Sequence, residues 1–318
     1  MPKKSKVPIS ATDPPAPGDT ILRVELNYLY FPLFVLDVHH VGSKETRVHS
    51  IITLPSKPTI RTLTVIPDKT LGSGGPFEHR AFRAVEKLLS ESYFRGGLEP
   101  QLVLRPSDIL KAMGYGKARG PEYKALRTFF QRMLGMQLLS DQAICDKKRG
   151  VYLTLDEQVP PIYEDVRWAG SRMTIVLGSL YLSNLAANYV KLFDYPYYKK
   201  IRTGTARRLF ELISPRAYKY GKEVYFTYSH LCESLPIARA NYPSEVDRQF
   251  RPACKRLVKQ RFIKECNYNV EIRGRYSTNP RLDGKFTFVM GDSFEDSQVG
   301  EWDKEEADRV RTIDPNKS

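Results

Sequence analysis

The chain has 318 residues, a formal net charge of +14 and 41% hydrophobic residues, enough for two cores of ordinary size and too basic for charge-neutral contacts. Its charge is segregated: from Asp292 onward nine acidic residues face four basic ones, a net of −5 that leaves the preceding body at +19, a field that favours a polyanionic partner. Cys145, Cys232, Cys254 and Cys266 show no CxxC spacing, which argues against a zinc site and suits thiols in a reducing, cytoplasmic compartment.

Residues 1–20 carry Lys3, Lys4 and Lys6 and then Pro8, Pro14, Pro15 and Pro17 where a signal peptide needs an apolar run, so they read as a disordered arm. Ile21 to Val38, Arg47 to Leu54 and Thr59 to Ile66 are rich in β-branched and aromatic residues and read as strands. The first contains Arg23, Glu25, Asn27, Pro32 and Asp37, so it does not span a bilayer, and no membrane partner is expected. Phe77 to Leu89 reads as a helix with Phe82, Val85, Leu88 and Leu89 on one stripe and charge on the other face. Leu102 to Leu104 is a short strand. Ser107 then caps a helix that Gly114 ends in a left-handed turn. Pro121 opens a longer helix that buries Leu126, Phe130, Met133 and Leu134 and turns Lys124, Arg127 and Gln131 outward. Leu138 to Ile144 and Val151 to Leu155, around the basic loop Cys145 to Gly150, read as a hairpin whose tip is the expected wing of this unit.

The same order returns between Thr203 and Gly291: a helix over Thr205 to Ile213, a strand over Glu223 to Tyr228, a short helix capped by Ser229, and a long helix after Pro243. Apolar residues stand two and six positions after each serine, and each proline stands fourteen after it. Val246, Phe250, Ala253 and Leu257 repeat the inward step of Leu126, Phe130 and Met133. Phe262 to Ile272 and Lys285 to Met290 flank a basic loop. The predicted fold is therefore α+β, with two tandem winged-helix (winged helix-turn-helix) domains at 21–160 and 173–291. A linker at 161–172 joins them, and 292–318 is an acidic tail.

A helix-turn-helix sends the amino-terminal part of its second helix into the major groove, where Arg pairs with guanine and Asn or Gln with adenine. The DNA-contact candidates in the first unit are Lys117, Arg119, Lys124 and Arg127. In the second they are Arg239, Asn241, Tyr242, Ser244, Arg248, Arg251 and Lys255, with Arg273, Arg275 and Arg281 in its wing. Any one of these also reads as a solvated surface charge; together, their placement points to double-stranded DNA.

These residues resemble the plasmid replication initiators of the replication initiator protein A type, which are relatives of iteron-binding Rep proteins. The resemblance covers Leu26 to Gly291 and is carried by Leu26 to Phe34, by Ala206-Arg-Arg-Leu-Phe-Glu-Leu-Ile-Ser-Pro215, by Ser229-His-Leu-Cys232 and by Phe250 to Leu257. It implies binding of repeated origin sites, melting of adjacent DNA with exposure of single strands, and recruitment of the host initiator and replicative helicase. It also implies a homodimer that binds an operator and represses its own gene.

Two rivals stand beside this reading. A transcriptional regulator without initiator activity would use the same winged units. A rolling-circle nicking enzyme would need a tyrosine nucleophile and a histidine metal site. Tyr195, Tyr197 and Tyr198 offer a candidate nucleophile or a stacking platform, and also read as aromatic packing. The adjacent His39 and His40 would point to opposite faces of a strand. Gly72 to Gly75 lacks the Lys-Ser/Thr ending of a P-loop. No catalytic residue, metal or cofactor is expected.

Overall fold

The computed structural model describes residues 17–53, 59–155, 157–235, 237, 239–273 and 281–294. It opens with helix α1 (Pro17–Thr20), strand β1 (Ile21–Glu25) and helix α2 (Leu26–Tyr30) in unbroken succession. The arm expected over 1–20 therefore ends in a helical turn, and its first sixteen residues lie outside the described ones. The strand expected over Ile21 to Val38 is five residues long, because the Glu25 carboxyl group accepts the Tyr28 N–H at 3.1 Å and starts α2. His39 and His40 sit in an exposed 3-10 turn (Val38–His40), not in a strand. Strands β2 (Arg47–Thr53) and β3 (Thr59–Ile66) pair antiparallel, in line with the sequence pattern.

The first winged unit contains α3 (Pro76–Gly96), β4 (Gln101–Leu104), α4 (Pro106–Ala112) and α5 (Gly120–Gly135). Each helix has proline in its first two positions, where a missing N–H costs nothing. In each, the acid at the third position accepts the N–H of the residue before the helix: Glu78 from Gly75 at 2.7 Å, Asp108 from Arg105 at 3.0 Å and Glu122 from Arg119 at 2.8 Å. Arg105 is thus the cap of α4, and the expected cap, Ser107, lies inside the helix because Pro106 takes the first position. Gly114 does end the turn, at φ +99°.

The hairpin expected over 138–155 is not the wing. Strand β5 (Gln137–Asp141) is taken by β3, while β6 (Cys145–Asp146) and β7 (Val151–Tyr152) form a small hairpin of their own. The wing is β8 (Tyr163–Ala169) and β9 (Arg172–Leu177), which turn at Gly170 with φ +57°. Strand β9 also pairs with β4, setting Leu102 opposite Ile175 and giving the order β4-β9-β8. This corrects the linker placed at 161–172 and the start of the second domain at 173. Met173, Ile175 and Leu177 alternate into the first core, and β9 pairs with one edge of β4.

Helix α6 (Ser179–Ala186), strand β10 (Val190–Asp194) and helix α7 (Tyr195–Lys200) lead to the second unit. That unit contains α8 (Gly204–Tyr220), β11 (Glu223–Thr227), α9 (Tyr228–Ser234), α10 (Pro243–Lys259), β12 (Ile263–Arg273) and β13 (Arg281–Met290). Its sheet order, β11-β13-β12, repeats that of the first. Thr227 caps α9, its hydroxyl accepting the His230 N–H at 3.2 Å, so Ser229 is displaced from the cap just as Ser107 is. Both serines occupy the second helical position, which preserves the repeat.

A ribbon of β1 and β10 lies between the two cores. Side chains of a strand alternate between its faces, so Ile21, Val190 and Leu192 enter the first core while Leu22, Val24 and Phe193 enter the second. The charged face of α3 does not meet solvent here. His79, Arg83, Glu86 and Lys87 are buried, as are Arg207, Arg208 and Glu211 of α8. The Glu211 carboxylate accepts from Arg83 Nε at 2.9 Å, Arg208 Nη1 at 3.0 Å and the Tyr198 hydroxyl at 2.6 Å. Arg83 donates onward to Glu86 at 2.6 Å and to the Tyr28 carbonyl at 3.2 Å. Burial alone would raise the Glu211 carboxyl, but Arg83 and then His79 outweigh it and hold the group well below the usual carboxylate range.

Candidate nucleic-acid interface

The two long helices present their expected faces. Helix α10 buries Val246, Phe250, Ala253 and Leu257, and α5 buries Leu126, Phe130 and Met133 together with Phe129, which the sequence pattern had not marked. Leu134, expected inside, is 40% exposed, because it falls past the edge of that stripe. Arg132 reaches from α5 to the Leu71 carbonyl and to Glu78, fixing the helix against α3.

On α10, Ser244, Arg248, Arg251 and Lys255 are all exposed, and steps of four, three and four residues put them on one line along the outer face. Lys259 continues it. Asn241 and Tyr242 stand exposed at the entrance to the helix. Arg239 is tied back to Glu233 at 3.0 Å and to the Ser229 hydroxyl, so it braces the turn between α9 and α10 in the described conformation. Arg251 is held too: its Nε lies 2.7 Å from Asp247 Oδ2, and the Tyr268 hydroxyl of β12 donates to the same carboxylate. That Tyr268 hydrogen bond, followed by the one from Arg251, lowers the Asp247 carboxyl from its ordinary value.

In the first unit Lys117 and Arg119 are exposed in the turn before α5, and Lys124 and Arg127 are exposed along it. The Arg127 guanidinium lies over the Trp168 ring, 4.6 Å from its centroid. Trp168 belongs to β8, so the true wing braces the first helix. Of the second-wing candidates, Arg273 and Arg281 stand in register across β12 and β13, and Arg275 lies outside the described residues. Arg167 and Arg172, which flank the tip of the first wing and are exposed, are additions that the sequence reading missed together with Trp168, Asp247 and Tyr268. The signal was there in outline: an aromatic between basic residues, then Gly-Ser, then an alternating Met-Thr-Ile-Val-Leu run.

The tyrosine cluster packs inward. The Tyr195 hydroxyl donates to the Ala112 carbonyl at 2.8 Å, that of Tyr197 to the Gln260 carbonyl at 2.8 Å, and that of Tyr198 to Glu211. Burial raises the Tyr195 and Tyr198 hydroxyls above the ordinary tyrosine value, the opposite of what a nucleophile needs. Among the described residues no three His, Cys, Asp or Glu side chains gather as metal ligands, and no helix is long and apolar enough to cross a membrane.

No protein-family model matches the chain, and no curated protein matches it in sequence. Solved structures do resemble it. One is a crystal structure of the Pi initiator protein in complex with iteron DNA, 15% identical, covering 86% of this chain and 99% of that one with a TM-score of 0.50. Another is of domains 2 and 3 of RctB, 13% identical over 82% of this chain and 96% of that one, with a TM-score of 0.48. At such identity the likeness to the Pi initiator is one of fold: a mixed helix-and-sheet chain with two winged-helix units in the order described above.

Proposed function

We propose that this protein is a plasmid replication initiator that binds repeated origin sites in double-stranded DNA, one winged unit per successive stretch of groove. One observation carries the reading. Two helices, each preceded by a basic or polar turn, project solvent-exposed faces bearing Lys124 and Arg127 in one unit and Arg248, Arg251 and Lys255 in the other, on a body of strongly positive charge. The fold likeness to a protein captured on iteron DNA supports it. Phosphate contacts would set affinity, and base-edge contacts from the amino-terminal half of each helix would set sequence.

The protein then acts by binding and not by covalent chemistry, in the cytoplasm. Melting of neighbouring DNA, recruitment of the host initiator and helicase, and repression of its own gene through a dimer belong to the same proposal. A plasmid whose only replication gene is this one, with its flanking repeats, should be maintained after transformation. Repression of a reporter without plasmid maintenance would instead identify a regulator that lacks initiator activity.

A further inference from the structure

Cys254 of α10 and Cys266 of β12 come together twelve positions apart in the chain, with their Sγ atoms 2.6 Å from each other. The remaining cysteines, Cys145 and Cys232, are buried at other places in the second core. The two cysteines line a surface groove together with Asp247, Arg251, Lys255, Asn267 and Tyr268. A thiol pair at such a distance needs only a sub-ångström approach to reach bonding separation, and the groove gives a small molecule access from solvent.

We propose that Cys254 and Cys266 form a peroxide-oxidisable dithiol that closes into a reversible disulfide, stapling the long helix α10 to the wing strand β12. The Cys266 thiol is raised by its hydrogen bond with Cys254 and by burial, which leaves Cys254 as the attacking sulfur. The Cys254 thiolate attacks one oxygen of hydrogen peroxide; an S–O bond forms, the O–O bond breaks, and the departing hydroxide takes up the thiol proton as water. The Cys266 sulfur then attacks Cys254 Sγ; an S–S bond forms, the S–O bond breaks, and the second hydroxide leaves as water with the Cys266 proton. Two thiols lose two electrons and two protons, and one peroxide becomes two waters. A low-molecular-weight thiol reverses the step by exchange. This chemistry rests on the two side chains alone, independent of what the surface binds. Its consequence is mechanical, since the bond would fix β12, which carries Tyr268, against the helix that carries Arg251.

The full-length protein is treated with hydrogen peroxide, denatured, alkylated and digested for peptide mass spectrometry. The expected product is an intramolecular crosslink of the Cys254 and Cys266 peptides, a loss of about 2 Da, reversed by dithiothreitol and accompanied by a higher unfolding temperature. In Cys266→Ser, dimedone should trap a sulfenic acid at Cys254 and the intramolecular crosslink should vanish. Full alkylation of both thiols in the oxidised wild-type protein, or crosslinks that join two copies or involve Cys145 or Cys232 instead, would overturn the proposal, and the wild-type measurement decides even if the serine variant does not fold.

Discussion

The two winged units share one topology and solve one problem differently. Each must hold its long helix against its wing, and each does so from the position next to the first buried residue of the helix, Arg127 beside Leu126 and Asp247 beside Val246. In the first unit the bridge is a guanidinium on the face of Trp168. In the second it is a carboxylate that takes the Tyr268 hydroxyl on one side and Arg251 on the other. The first arrangement occupies the arginine itself, whereas the second spends an acid to aim an arginine one turn further along. Equivalent positions in a repeat thus carry opposite charges while the geometry they enforce stays the same, which is why residue identity alone is a poor guide to the homologous contact.

The largest expected effect lies where the units meet. Glu211→Gln leaves Arg83 and Arg208 buried without their shared anion and should cost roughly 3–5 kcal/mol, read as a lower urea midpoint. If only the second unit weakens, the seam is not shared in the way described. Glu25 sharpens the same point through pH. Burial, with a contribution from Glu86, raises its carboxyl to about 8. With the folded value above the unfolded one, its stabilising contribution is complete below about pH 4.5 and is lost as pH rises through about 8. Glu25→Gln should flatten that decline in urea titrations; an unchanged slope across the window would assign it elsewhere.

On duplex DNA, Arg251→Ala should cost roughly 1–3 kcal/mol and relax base preference, and Arg127→Ala should cost less, because its guanidinium already has a ring partner. Salt-titrated binding to specific and scrambled duplexes checks both, and equal losses would erase the distinction between the units. The smallest effects belong to the braces. Trp168→Ala should weaken binding by about 0.5–1 kcal/mol through a less ordered Arg127. Tyr268→Phe, which frees one side of Asp247, should shift Arg251-dependent affinity by no more than about 0.5 kcal/mol. A Trp168→Ala loss that persists in an Arg127→Ala background would show that the ring acts on its own.

The helices of both units were legible in the sequence because an apolar step of four and three residues, opened by proline, has few other solutions. So was the second wing, with its long alternating strands. The first wing was not, since Pro160, Pro161, Glu164 and Asp165 look like a joint and the nearer strand Gln137–Asp141 competes for the assignment. The seam was hidden for a different reason. Glu25, Arg83, Glu86 and Glu211 have the composition of a wet surface, and only tertiary structure shows that they satisfy one another. Among the DNA-contact candidates, exposure was foreseen for both long helices, whereas the restraint of Arg239, Arg251 and Arg127 by local partners depends on contacts that no spacing rule encodes.

The pairing of β1 with β10 also bears on how the protein is made. The first strand of the chain finds its partner some 170 residues later, at Val190–Asp194, and β4 waits for β9. During synthesis the amino-terminal unit therefore leaves the ribosome with two open strand edges and cannot close until the bridge to its neighbour has emerged. A fragment ending at residue 172 would lose both closing strands, so the amino-terminal half should be insoluble when expressed by itself, whereas one ending after Asp194 recovers them.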